Sequence, residues 1–260
     1  MKAAAFSFAV AETLQAASAA LAAGARPMAG GQSLGPMLNL RLAQPHAVVG
    51  LDRLPELSGA SETATHIILG AAVTHAQIED GATPDIGTGI LARIAAGIAY
   101  RAVRNRGTIG GSLCHADPAA DWVTTLLALN AEAITFAQTG GRAIALRDFF
   151  AGAFRTVLAP GEFLRAIKIP KLRSDESFGY YKSCRKPGEF AHAMAAVFRA
   201  PDARRVVIGA LGTIPVRLEG AEAEPAAIAT ALRSQAPGLD EIAMHMQLIA
   251  VKRAFESLAP

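Results

Sequence analysis

The chain has 260 residues, 52% of them hydrophobic and 18% charged, with a formal net charge of +3. That length and balance suit one large domain or two modest ones with a proper core, and they exclude a disordered chain. The densest basic groups, Arg101 with Arg104 and Arg106 and then Lys168 with Lys171 and Arg173, carry no interleaved aromatics. This argues against a nucleic-acid face and for a protein partner or an anionic cofactor. Two cysteines, Cys114 and Cys184, are too few for a disulfide framework or a cysteine-rich metal site. A reducing cytoplasm is therefore the expected location. No apolar stretch is long enough to span a membrane.

The Ala-rich opening, Met1 to Ala25, shares features with a weak secretory signal, but Glu12 and Gln15 interrupt its apolar run, so no cleavage is expected. It reads instead as a strand at Phe6–Phe8 and a helix from Ala11 to Ala23, with Leu14 and Leu21 on its inner face. A short strand from Ala25 to Met28 enters the turn Ala29-Gly30-Gly31. Gln32 to Leu42 then reads as helical, with Leu34, Leu38 and Leu42 four residues apart. Strands follow at Ala47–Val49 and His66–Ala71. Thr74 with Gln77 has the spacing of a capping box, and one longer helix is predicted over Ile90–Val103. A second glycine turn, Gly107 to Gly111, precedes a helix over Asp121–Leu129. Strands are then predicted at Ala133–Ala137, Arg142–Leu146 and Leu164–Ile169. After a polar linker at Arg173–Ser177 come Phe178–Lys182, Ala191–Phe198 and Val206–Leu211, and a last helix from Leu239 to Leu258. The irregular alternation reads as α+β with a boundary near residue 173.

The two glycine pairs are the most informative feature. Gly30-Gly31 precedes Gln32 and Ser33, and Gly110-Gly111 lies between Thr108 and Ser112. Absent side chains let a backbone approach a bulky anion, and successive N–H groups can converge on phosphate oxygens. Neither string is a Walker A loop or a G-x-G-x-x-G dinucleotide fingerprint. His115 lies near Asp117 and Asp121, but with no second histidine a hydrogen bond to backbone or cofactor is the better reading than a metal site. Cys114 and Cys184 read as small buried hydrophobes. Asp117 reads as a helix cap with Pro118 at the first helical position. Asp121 suits a helix start with or without a ligand. Trp122, Met244 and Met246 read as core.

The full strings Ala29-Gly30-Gly31-Gln32-Ser33-Leu34 and Asn105-Arg106-Gly107-Thr108-Ile109-Gly110-Gly111-Ser112-Leu113, followed by Asp117-Pro118 and Asp121, resemble the FAD-binding medium subunits of molybdenum hydroxylases, the carbon monoxide dehydrogenase and xanthine dehydrogenase family. The resemblance extends through Tyr181-Lys182 and Arg185 to Phe190-Ala191. It implies a two-subdomain FAD-binding domain of the PCMH and vanillyl-alcohol oxidase type over residues 1–172, then a small α+β C-terminal domain over 173–260. By the same resemblance Ala29, Gly30, Gly31, Gln32 and Ser33 wrap the FAD pyrophosphate, flanked by Arg26, Pro27, Met28 and Leu34. Thr108, Ile109, Gly110, Gly111 and Ser112 form the second turn, with Cys114 and His115 alongside. Asp121 bonds a cofactor hydroxyl, Ile98 and Leu164 wall the adenine end, Lys182 stands near the isoalloxazine, and Tyr180 or Tyr181 covers the ring. Ser112 departs from the Asn or Asp of many relatives. The implied partners are a large subunit with the molybdenum cofactor and a small subunit with [2Fe-2S] clusters. The implied activity is that of an oxidoreductase passing electrons from those clusters through FAD to an external acceptor. A stand-alone flavin-binding or assembly protein and a self-contained flavin oxidase are the alternatives.

Overall fold

The computed structural model describes residues 2–258. A first unit alternates β1 (Ser7–Val10), α1 (Leu14–Ala22), β2 (Arg26–Met28), α2 (Leu34–Asn39) and β3 (Ala47–Gly50), with its strands parallel in the order β1-β3-β2. Thr13 caps α1 by accepting the Ala16 N–H, so the helix starts later than its Ala-rich pattern suggests. Leu14 and Leu21 do share its buried face, packed with Val49, Leu51 and Phe163.

The second unit runs α3 (Pro55–Ser58), β4 (Ala60–Glu62), β5 (His66–Gly70), α4 (His75–Glu79), α5 (Ile90–Ala96), α6 (Arg101–Arg104), α7 (Ile109–His115), α8 (Asp121–Ala128), β6 (Glu132–Phe136), β7 (Ala143–Ala145), α9 (Leu146–Phe149), β8 (Phe150–Gly152), β9 (Arg155–Thr156) and β10 (Phe163–Pro170). Its five-stranded sheet, in the order β4-β5-β10-β6-β7, is antiparallel throughout. The third unit is the antiparallel meander β11 (Ser177–Ser183), β12 (Ala193–Arg199), β13 (Arg204–Gly209) and β14 (Val216–Glu219), backed by α10 (Ile228–Gln235) and α11 (Glu241–Glu256). The fold is thus α+β. No helix among the described residues is long and apolar enough to cross a membrane.

Every residue of α8 is buried, the polar Asp121, Thr124 and Thr125 as well as the apolar ones, because the helix is packed on more than one side. It packs on β12 and β13 of the third unit while Trp122, Val123, Leu126 and Leu127 belong to the core beside the five-stranded sheet. That core also takes in Phe178, Ala196 and Val207 from the meander. The polar stretch at Arg173–Ser177 therefore joins units that share apolar packing. Met244 is buried and Met246 partly so in the second large core.

Three expectations are corrected. The helix predicted from Gln32 to Leu42 spans only Leu34–Asn39, because Arg41 turns to a φ of 58° and Leu42 is left 72% exposed. The helix predicted over Ile90–Val103 is two helices, parted at Gly97–Tyr100 where Ala99 adopts a φ of 44°. The second glycine turn is not a turn. Ile109–His115 is helical, capped by Thr108, whose side chain accepts the Gly111 N–H.

Candidate cofactor site

β2 leaves its sheet at Met28, whose carbonyl still accepts the Leu51 N–H. Beyond it, none of the main-chain N–H groups of Ala29, Gly30, Gly31, Gln32 and Ser33 has a protein acceptor among the described residues. Only Gly30 of the five is buried, so these donors are open to an incoming ligand, and a run of them suits an anion. Gly31 has a φ of 73°, which a side chain would strain. Gly30 is glycine for a different reason: a Cβ there would lie 1.7 Å from the Arg106 carbonyl oxygen. The Arg106 side chain returns, Nε donating to the Gly30 carbonyl at 3.4 Å, and Gln32 Nε2 donates to the same oxygen at 3.3 Å. The two motif strings, remote in sequence, are thereby pressed together.

The second string behaves differently. Its N–H groups are already used: Ile109 donates to Val73 O, Gly110 to Ala71 O, and Ser112 to Thr108 O, each at 3.0 Å, while Gly111 donates to Thr108 Oγ1. The expectation that both glycine pairs present free converging donors is corrected here to the first pair alone. Gly110 is a packing glycine, since a Cβ would stand 2.5 Å from that of Ala71. Replacing Thr108 with valine removes the cap while keeping the shape. The apo chain should lose about 1 kcal/mol, read as a lower urea midpoint, and an unchanged midpoint would show that the cap contributes nothing.

Beside this string, burial pushes the Cys114 thiol up to about 12, which makes it an inert packing group. His115 is held below its ordinary basicity, first by burial and then by Arg26, with Asp117 opposing. Leu164 is 3% exposed and belongs to the main core, against which Ile98 and Cys114 also pack. Asp117 does not cap α8: its Oδ1 accepts the Ala119 N–H, and the helix begins at Asp121 after Ala120.

A third group forms where the units meet. Asp121 Oδ1 lies 2.9 Å from Lys182 Nζ, with both side chains 9% exposed, and accepts the Tyr180 hydroxyl at 2.8 Å. Lys182 Nζ also donates to the Gly97 carbonyl at 2.9 Å. The next two carbonyls, of Ile98 and Ala99, each accept from Arg104 at 3.0 Å. Arg104 is in turn paired with Glu79 through two bonds. So cations hold three successive carbonyls of the α5–α6 break, and Ile98 also bridges to Gly188. Tyr180 packs against the core of the second unit and Tyr181 against that of the meander. The resemblance anticipated Asp121 and Lys182 but not their contact, nor Arg104 and Glu79. The basic trio does not form a free cationic face: Arg101 pairs with Glu79 and Asp80, and Arg104 with Glu79. Lys168, Lys171 and Arg173 likewise each meet a carboxylate.

Free donors at Ala29–Ser33, the close approach at Gly30 and the buried polar group at Asp121 fit a large anionic cofactor with hydroxyls. A family model described as the FAD binding domain in molybdopterin dehydrogenase matches residues 4–172. The chain belongs to this family. Among relatives of this FAD-binding domain, the 6-hydroxypseudooxynicotine dehydrogenase complex subunit alpha of Paenarthrobacter nicotinovorans is 35% identical over 232 residues, covering 85% of this chain and 78% of that protein. The carbon monoxide dehydrogenase medium chain of Afipia carboxidovorans is 34% identical over 220 residues, covering 84% and 76%. Among solved structures, reconstituted CO dehydrogenase from Oligotropha carboxidovorans superposes with a TM-score of 0.89 at 28% identity, over 99% of this chain and 98% of the other. The chain is accordingly an FAD-binding oxidoreductase subunit of the molybdenum hydroxylase type, as the two motif strings implied.

Proposed function

We propose that this chain is the electron-transferring flavin subunit of a heteromeric molybdenum hydroxylase. The observation that supports it most is the run of unpaired N–H groups at Ala29–Ser33, pressed against the Arg106–Ser112 string. In this reading those N–H groups take the FAD pyrophosphate, with Arg26, Pro27, Met28 and Leu34 at its flanks. Thr108–Ser112, Cys114 and His115 line the opposite wall, with side chains and surface in place of free amides. Asp121 accepts from a cofactor hydroxyl, Ile98 and Leu164 supply apolar walls, and Lys182 carries its charge toward the flavin. FAD supplies the redox centre that accepts electrons and passes them on, and the protein supplies position and electrostatics.

The relatives' descriptions as a complex subunit and a medium chain support partner chains. The partners would be a small one with [2Fe-2S] clusters and a large one with the molybdenum cofactor. The thiol inventory supports this division: Cys114 and Cys184 are both free, whereas a cluster needs about four thiolates. Two free thiols also suit the cytoplasm. Residues 1–172 would form the flavin domain and 173–260 the smaller domain.

The test is reconstitution. The isolated chain with FAD should show a flavin spectrum without stoichiometric iron or molybdenum. Expressed with the two partners, it should co-elute with them, and dye reduction by substrate should occur only in that fraction. Dye reduction by the lone chain with an organic substrate would overturn the subunit reading in favour of a self-contained oxidase.

A further inference from the structure

The Asp121 carboxylate has a lopsided set of partners. Lys182 and the Tyr180 hydroxyl both engage Oδ1, while Oδ2 receives no donor from the described residues and is not among the sealed unpartnered atoms. One oxygen is thus held by protein and the other left to whatever reaches the site. Tyr180 is well placed for such a fixed role. Its ring packs against the main core, and its own N–H and C=O, on the edge of the meander, are both bonded to Ser257 Oγ at 3.0 and 3.2 Å. Burial, and then the Asp121 charge, push the phenol well above its ordinary value, so it remains a donor.

We infer that Tyr180 is a positioning residue for the flavin site, its hydroxyl fixing the Asp121 carboxylate so that Oδ2 stays aimed at the cofactor. The inference rests on the FAD reading above. Its physical content is a division of labour. If Lys182 turned its ammonium toward a bound flavin, Asp121 would lose its cation in a largely dry place, and an unsatisfied buried carboxylate is expensive. The Tyr180 hydroxyl keeps that carboxylate bonded and oriented, so Lys182 can serve the cofactor without leaving Asp121 to rotate. The Tyr180 hydroxyl points into the protein, toward Asp121.

The experiment is a double-mutant cycle on the full chain, with FAD affinity of the apo form measured by quenching of flavin fluorescence. Tyr180→Phe keeps the ring and deletes one hydroxyl. It should weaken FAD binding about tenfold, the scale of one hydrogen bond to a charged group. Asp121→Asn should weaken it as well. Adding Tyr180→Phe to Asp121→Asn should then cost little more, because Tyr180 acts through Asp121. The melting temperature of each apo variant is recorded alongside, and a merely structural role would lower it without moving the affinity at low temperature. Unchanged affinity in Tyr180→Phe, or strictly additive losses in the double variant, would overturn the inference. Failure of the unaltered chain to bind FAD would overturn the reading beneath it, a distinct result visible before any variant is made.

Discussion

Replacing Gly30 with alanine is expected to strip the purified chain of flavin. The new Cβ would fall 1.7 Å from the Arg106 carbonyl oxygen and 2.5 Å from its carbon, and both are main-chain atoms with no rotamer to escape into. The Ala29–Ser33 segment and the Arg106–Ser112 string must therefore separate. Misplacing even two donors to a charged ligand, at about 1.5 kcal/mol each, weakens binding by more than about a hundredfold. The apo fold should lose only about 1–3 kcal/mol from the local clash, because the turn lies outside the three apolar cores. Gly31→Ala is the informative contrast, since a Cβ there meets only the Met28 side chain at an ordinary contact distance of 3.5 Å and the φ of 73° is what is penalised. Flavin absorbance per polypeptide after desalting, with calorimetry of the apo forms, separates the two. Full occupancy in Gly30→Ala would mean that the close approach does not shape the site.

Mild acid should destabilise the chain through His75. Its Nδ1 accepts the Trp122 Nε1–H at 3.1 Å, and burial, followed by the Arg104 charge, lowers it from 6.5 to about 4. The fold therefore favours the neutral ring. Its stabilisation is fully present above pH 6.5. As pH falls from 6.5 toward 4, the unfolded chain binds a proton that the folded one refuses, and about 3 kcal/mol is lost across that window. His115, also lowered but half-buried, adds to the same slope. The Glu162 carboxylate, lowered to about 2 chiefly by Arg142, contributes stability that is fully present above 4.5 and lost only at lower pH. Urea midpoints at pH 7.5, 6 and 4.5 should fall steeply in the native chain and much less in His75→Gln, whose amide oxygen can still accept from Trp122. Equal slopes in the two proteins would remove His75 from the account.

Local chemistry was legible wherever it was decided locally. Thr74 and Gln77 form the capping box that their spacing announces, and the strand at His66–Gly70 follows from its apolar run. The second glycine string misled because adjacent glycines weaken a helix by about 1 kcal/mol each. What outweighs them is tertiary: Ile109 and Leu113 are fully buried, and Gly110 is needed for the approach to Ala71. The break after Ala96 was hidden for a similar reason. Apolar periodicity runs through Ile94 and Ile98, and only the distant Arg104 and Lys182 reveal that those carbonyls point elsewhere. Within the candidate site, the motif strings could name residues but not their partners. Asp121 opens α8 and Lys182 lies on β11, and no local pattern encodes that two residues so far apart in sequence will share an ion pair.

The pairing of Ser257 with Tyr180 also bears on how the chain behaves among its neighbours. β11 borders its sheet, and an unpaired border strand is a template on which another polypeptide can zip up. Here α11 comes so close that a Cβ at Gly179 would meet the Ala254 carbonyl oxygen at 2.1 Å, and Ser257 Oγ occupies both main-chain groups of Tyr180. At Tyr180 the border is covered from within the chain. That guards the finished, folded chain against strand addition before any partner subunit has arrived to cover the molecule.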